Sequence, residues 1–208
     1  MTLERLENVR NRCHNMDWNT ETVNIIYASN DGYAGHLAAS LYSLLDNNRN
    51  IPRMDIYILS VGMSEAYLER LADVAGAFCR GLHVAELGNL RERFDYEVDT
   101  RGFDISAMGR LFAPKVLPDC VRKALYLDCD TIVNGSIRPL YEAELGSHLV
   151  GMVMEPTVYR EMKDSIGMER DEPYYNSGVL LMDLEAWRDQ DVLGQLLEFY
   201  RSHEGSLF

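Results

Sequence analysis

The sequence has 208 residues, with 20 Lys and Arg against 33 Asp and Glu, a formal net charge of −13, and 47% apolar residues. That length buries one sizeable α/β core, and the acidic balance excludes a nucleic-acid surface or an anionic-membrane anchor, both of which need clustered Lys and Arg. No apolar run approaches the roughly 18 residues that span a bilayer, and the opening MTLERLENVRNRC has no signal-peptide h-region.

Leu3, Leu6, Val9, Cys13 and Met16 have a three-to-four spacing that predicts an amphipathic helix over residues 3–16. Val23 to Ala28 is a compact β-rich run ending at the polar turn Ser29-Asn30-Asp31-Gly32. A helix follows from near Tyr33, with Leu37, Leu41, Leu44 and Leu45 on its inner face. The pattern repeats with a strand over Asp55–Leu59 and a helix opened by Ser64-Glu65, carrying Leu68, Leu71 and Ala75. A third strand spans Leu82–Leu87. The charged stretch 91–105 reads as a loop, and Ser106–Leu117 as a helix closed by Pro118. Further strands are predicted at Ala124–Leu127, Leu149–Met154 and Val179–Met182, and a last helix from Glu185 to Tyr200.

Continuous apolar strands separated by helices predict one α/β domain with a mainly parallel sheet covered on both faces. Ligands of such sheets bind at the carboxyl ends of the strands, so the residues just after each strand carry the information. Cys13, Cys79, Cys120 and Cys129 are too scattered for a disulfide scaffold or a metal knuckle, which points to a reducing compartment. The five histidines show no ligand spacing, and no Ser-His-Asp or Cys-His signature is visible.

Three strand ends stand out. In Leu125-Tyr126-Leu127-Asp128-Cys129-Asp130-Thr131-Ile132-Val133, two carboxylates two apart on an extended chain share a face. Their repulsion is unfavourable unless a cation sits between them, and hard divalent ions take oxygen ligands, so a metal–diphosphate site explains the pair. Two solvated aspartates in a strand-end turn would give the same pattern. On the repulsion argument, neutralising either Asp leaves stability unchanged or slightly raised. An EF-hand is excluded, because the glycine position counted from Asp128 is Val133 and the twelfth position is Pro139.

At the second strand end, the turn from Ser29 to Tyr33 enters a helix and offers backbone N–H groups to an anion or a base edge, or is a plain capped turn. It lacks GxGxxG. The third, Tyr174-Tyr175-Asn176-Ser177-Gly178, puts small polar residues before a buried strand, where a ligand can approach the backbone.

Together with Gly109-Arg110-Leu111, Lys123-Ala124 and Ile137-Arg138-Pro139-Leu140, these segments in this order resemble glycosyltransferase family 8 over residues 23–200. The resemblance implies a GT-A, Rossmann-like fold and retaining transfer of glucose or galactose from a UDP-sugar to a glycan or lipid-linked saccharide. It implies that Ala28, Ser29, Asn30, Asp31, Gly32 and Tyr33 surround the nucleoside, with Cys129 also at the donor. Asn30 stands where the family often has aspartate. Asp128 and Asp130 would chelate Mn²⁺, or Mg²⁺, with the diphosphate. Arg110 would lie beside the diphosphate and sugar, and Asn176 against the sugar, so Asp130, Arg110 and Asn176 are the implied catalytic residues. Charge on the departing UDP would be offset by the metal and Arg110. The implied place of action is the cytoplasm, loosely at the inner face of the membrane.

Family members continue with Asp-Gln-Asp and His-x-x-Gly-x-x-Lys-Pro-Trp segments, and this sequence stops at Gly205-Ser206-Leu207-Phe208. The expected organisation is therefore an N-terminal helical extension over 1–22 and a glycosyltransferase domain over 23–208, incomplete at its C-terminus. Such a chain is expected to bind UDP weakly and by itself to show no detectable transfer or UDP-hexose hydrolysis. Two rival readings are a UDP-sugar-binding remnant without turnover and a haloacid-dehalogenase-like phosphatase with its nucleophile on Leu127–Ile132. The phosphatase motif normally follows the first strand, whereas three predicted strands precede it here, and Ile132 departs from it.

Overall fold

The computed structural model describes residues 4–5, 22–98, 100, 102–157, 163–164 and 167–202. The strands are β1 (Glu4–Arg5), β2 (Val23–Ser29), β3 (Met54–Ser60), β4 (Gly81–Glu86), β5 (Lys123–Leu127), β6 (Val150–Met154) and β7 (Tyr175–Asp183). They form one sheet in the order β1-β4-β3-β2-β5-β7-β6. Neighbours from β1 to β5 pair in parallel, and β7 runs antiparallel to both β5 and β6. The helices are α1 (Ala34–Asn47), α2 (Glu65–Ala77), α3 (Ala113–Val116), α4 (Arg138–Tyr141), α5 (Leu184–Asp189) and α6 (Val192–Ser202).

The central strands alternate their side chains between two cores, as the period of two along a strand requires. Ile25, Tyr27, Ile56, Ile58, Leu125 and Leu127 join Leu37, Leu41 and Leu44 of α1 and Leu68 and Leu71 of α2 on one face. Ile26, Ala28, Tyr57, Leu59 and Tyr126 join Phe94, Phe112 and Trp187 on the other. The sheet is an α/β, mainly parallel sheet covered on both faces, as the unbroken apolar strands predict.

β2 and β5 are adjacent although the chain leaves them toward opposite edges, β2 toward β3 and β5 toward β7. Their carboxyl ends are thus the switch point of the sheet, the place where α/β folds leave a crevice. The last turns of α1 brace the segment leaving β5. Ser43 Oγ accepts from Val133 N at 2.9 Å, and Asn47 Nδ2 donates to Val133 O at 3.0 Å. Asn48, buried, donates to Leu44 O and Gly135 O and accepts from Ile137 N.

Several elements differ from the sequence-based expectation. Glu4–Arg5 pair with His83–Val84 as a short strand rather than forming part of a helix, because β4 otherwise presents an open edge of backbone donors and acceptors; the rest of the helix expected over 3–16 lies outside the described residues. The helix expected over 106–117 is a 3-10 helix at Ile105–Phe112 followed by α3, and the loop 91–105 holds a 3-10 turn at Leu90–Arg93. The single C-terminal helix is two, separated where Asp191 takes a left-handed φ of 45° that no α-helix accommodates. β7 begins at Tyr175, four residues before its apolar run, because Tyr175 and Asn176 pair with Met154 and Val153 of β6. Cys79 and Cys129 are free thiols and Cys120 is disulfide-bonded, so the reducing reading does not extend to every cysteine. No helix among the described residues is long and apolar enough to cross a membrane.

Candidate functional site

The switch point gathers residues from four stretches of chain around Arg110. The 3-10 helix Ile105–Phe112 crosses the end of β2, and Gly109 makes that crossing possible. A Cβ at Gly109 would come within 3.0 Å of Ala28 Cβ and 3.1 Å of Leu87 Cδ1. The close approach seats Arg110, nine-tenths buried, above the end of β5.

Its guanidinium is held on every side. Nε donates to Ala107 O at 2.6 Å, Nη1 donates to Ser177 O, and Nη2 lies 3.1 Å from Asp128 Oδ1. The plane sits 4.5 Å from the centroid of the Tyr126 ring, a cation–π distance. The Ser177 carbonyl is available because the β6–β7 register jumps between Met152 and Val153, which leaves Ser177–Val179 unpaired with β6. Such irregularities re-aim backbone groups beside functional sites.

Asp128 completes the knot. Its Oδ1 also accepts from Tyr126 OH at 2.6 Å, the two side chains sharing a face two residues apart, and its N–H donates to Gly178 O at 2.8 Å. Burial pushes the Tyr126 phenol well above its ordinary pKa, so it stays a donor. Asp128 is one-third exposed and Asp130 is exposed, with Cys129 buried between them. Burial raises the Cys129 thiol to about 11, and as a neutral S–H it donates to Ala28 O at 3.2 Å, clipping β5 to β2. The charge of Asp128 is therefore answered inside the fold by Arg110, which the repulsion argument did not foresee.

Asn176 and Gly178 stand opposite. Asn176 Oδ1 accepts from Gly178 N at 2.7 Å, so its amide N–H₂ points outward, toward Glu155 Oε2 at 3.5 Å. A Cβ at Gly178 would come within 2.7 Å of Asp128 Oδ2 and 3.0 Å of Asn176 Oδ1. The missing side chain keeps open the space beside the carboxylate oxygen that Arg110 does not hold.

In the turn after β2 the predicted nucleoside residues have protein partners. Asn30 Nδ2 bonds both Asp104 oxygens at 2.9 and 2.8 Å, and Asn30 Oδ1 accepts from Tyr33 N. Asp31 Oδ1 accepts from Ser64 N at 2.7 Å. Ser29 is fully buried and Ala28 and Cys129 nearly so, and these three offer almost no surface to a ligand. Gly32 and Tyr33 are exposed, the Tyr33 ring tilted on His36. Arg110, Asp128, Asp130 and Asn176 thus converge from three elements, while the turn after β2 is tied through Asn30 to Asp104, at the start of the Ile105–Phe112 segment.

Burial would raise Asp104, but the hydrogen bonds from Ser106 and Asn30 overcome it and hold the carboxyl below its ordinary value. A depressed folded-state pKa contributes stability above the unfolded value of about 3.9, lost as pH falls through the folded one. Asp104→Asn is accordingly expected to be less stable than the wild type at pH 7, with the gap closing as pH drops below about 4. Urea denaturation of both proteins across that range measures it.

A divalent cation takes about six oxygens, and among the described residues no group of three His, Cys, Asp or Glu gathers around a common point. Asp128 Oδ2 and Asp130 fit as two of the donors, with the remainder to come from phosphates and water. A cavity of about 580 Å³ adjoins the knot, lined by Arg110, Asp104 and Ser177 and by apolar side chains such as Leu111, Leu180 and Trp187. Asp104, Tyr126 and Glu155 were not singled out by sequence reasoning. Glu155 alone had a signal, a carboxylate directly after an apolar strand, the same pattern as Asp128 after β5.

The sequence profile of glycosyl transferase family 8 matches residues 24–208. General stress protein A of Bacillus subtilis (strain 168) is 24% identical over 184 residues, which is 88% of this chain and 63% of that protein. Lipopolysaccharide 1,2-glucosyltransferase of Escherichia coli (strain K12) is 25% identical over 187 residues, 89% of this chain and 54% of that protein. Among solved structures, the galactosyltransferase LgtC in complex with donor and acceptor sugar analogues aligns with a TM-score of 0.78 and 28% identity, over 89% of this chain and 66% of that one. The chain therefore spans between about half and two thirds of the length of these relatives.

Proposed function

The chain belongs to glycosyl transferase family 8, and from that premise we propose that the Arg110 knot holds the diphosphate of a UDP-hexose for retaining transfer to a glycan or lipid-linked saccharide. The observation that carries this reading is the convergence of Arg110, Asp128 and Asn176 at the switch point, with an exposed Asp130 beside them.

In this reading Asp128 and Asp130 hold a divalent cation, Mn²⁺ or Mg²⁺, which supplies Lewis-acid stabilisation of the diphosphate charge. Arg110 is already fixed by Ala107, Ser177 and Tyr126, so it presents charge to the leaving UDP without reorganising, the property that most lowers a charge-developing barrier. Asn176, its oxygen engaged by Gly178, offers its N–H₂ to a sugar hydroxyl. The exposed face of Tyr33 and Gly32 receives the nucleoside, while Asn30 and Asp31 hold the turn in shape through Asp104 and Ser64. The proposed place of action is the cytoplasm.

Metal and UDP are then coupled reciprocally. Calorimetry is expected to show UDP binding at least about tenfold more tightly with Mn²⁺ than with excess chelator, about 1.4 kcal/mol. Equal affinity in the two conditions overturns the metal–diphosphate site. Coupled binding without hydrolysis or transfer of UDP-glucose or UDP-galactose supports the remnant reading for this chain.

A further inference from the structure

Glu155 follows β6 and sits at the outer rim of the same site. Its Oε1 accepts from Thr157 N at 3.2 Å and from Thr157 Oγ1 at 2.8 Å, so a local turn fixes the carboxylate. Its N–H donates to Tyr174 O at 2.8 Å, which ties the end of β6 to the start of β7. Oε2 faces Asn176 Nδ2 across 3.5 Å, a long contact for a hydrogen bond. An acceptor and a donor at that separation are complementary to adjacent hydroxyls of a pyranose, one donating to the carboxylate and its neighbour accepting from the amide.

We infer that Glu155 is a specificity-determining residue that selects a neutral hexose, and rejects a hexuronate, at the sugar position beside Asn176; this rests on the nucleotide-sugar reading above. The Thr157 bonds, and Asn176 to a lesser degree, keep the carboxyl ionised below its ordinary range. A fixed negative charge accepts hydroxyls, while the carboxylate of a uronate meets repulsion wherever on the ring it lies. A single pyranose is smaller than the screening length of about 8 Å at physiological ionic strength. In the reading above, Arg110 and the divalent cation are taken up by Asp128, Asp130 and the diphosphate, which leaves them little charge to offer a uronate.

The test titrates wild type and Glu155→Gln with UDP, UDP-glucose, UDP-galactose and UDP-glucuronate in the presence of Mn²⁺, with UDP as the reference for folding and nucleotide binding. The wild type is expected to favour the tighter-binding hexose over the glucuronate by at least about tenfold, and Glu155→Gln to bring that ratio close to one. A wild type that holds glucuronate as tightly as the hexoses, or a variant that keeps the wild-type ratio, overturns this inference and leaves the UDP site standing. A wild type that binds neither UDP nor any UDP-sugar overturns the nucleotide-sugar reading, and this inference with it.

Discussion

Alanine at Asp128 is expected to lower the stability of the chain by about 3 kcal/mol, whereas alanine at Asp130 leaves it within about 0.5 kcal/mol of the wild type. The two carboxylates are two residues apart, but the fold treats them differently. Removing Asp128 leaves the Arg110 guanidinium nine-tenths buried without its counter-ion and takes the acceptor from Tyr126 OH. Breaking one partner of a buried pair costs about 3–5 kcal/mol, and the one-third exposure of Asp128 places this case at the low end. Asp130 is exposed and its loss removes charge that water already solvates. Asp128→Asn, which keeps an acceptor for Tyr126, falls between. Both alanine variants are expected to lose the Mn²⁺ dependence of UDP binding. Urea denaturation without ligand separates the stability effects. An Asp128→Ala protein as stable as the wild type would show that Arg110 does not depend on the pair, and would restore the view of two repelling solvated carboxylates.

Gly178→Ala is expected to weaken Mn²⁺-dependent UDP binding by more than tenfold while costing about 1 kcal/mol or less in stability. The glycine is not at a left-handed φ, so alanine fits its backbone. The added methyl would lie 2.7 Å from Asp128 Oδ2 and 3.0 Å from Asn176 Oδ1. Both atoms end side chains that can rotate, which keeps the folding penalty small. A twist of the Asp128 carboxylate shifts Oδ2 while Oδ1 keeps Arg110 and Tyr126, and the methyl fills the space where a cation would meet Oδ2. Gly135→Ala, where an added Cβ meets nothing within 4 Å, is the matched control and should leave both quantities unchanged. UDP affinity equal to wild type in Gly178→Ala would mean that the ligand does not use the Asp128 face.

The strands and helices that pack the two cores were readable because their burial imposes a local pattern. Leu37, Leu41 and Leu44 recur at helical spacing, and Ala124 to Leu127 are apolar without interruption because both faces of β5 are covered. Where the element is held by backbone pairing instead, the pattern fails. Tyr175 and Asn176 belong to β7 through hydrogen bonds with β6, which do not depend on what side chains they carry. The break at Asp191 has no apolar signature either, since the residues on both sides continue to read as one amphipathic stretch.

The candidate site divides in the same way. The acidic pair, the polar turn after β2, Arg110 and Asn176 could be named from their order along the chain, and that order sufficed to place the chain in its family. What the sequence by itself determined was which residues end the strands. Which of them carry which partner was decided by the tertiary structure, because the partners are distant in sequence. Arg110 reaches Ser177 across 67 positions, and Asn30 reaches Asp104 across 74. These contacts exist only once β5 and β7 pair and the Ile105–Phe112 segment closes over β2. The pairing of Arg110 with Asp128 and the engagement of Asn30 by Asp104 follow from that closure, and the placement of Glu155 beside Asn176 follows from the pairing of β6 with β7. Side-chain hydrogen bonding is short-ranged, and nothing in a linear pattern records which strand ends the sheet brings within 3 Å of one another.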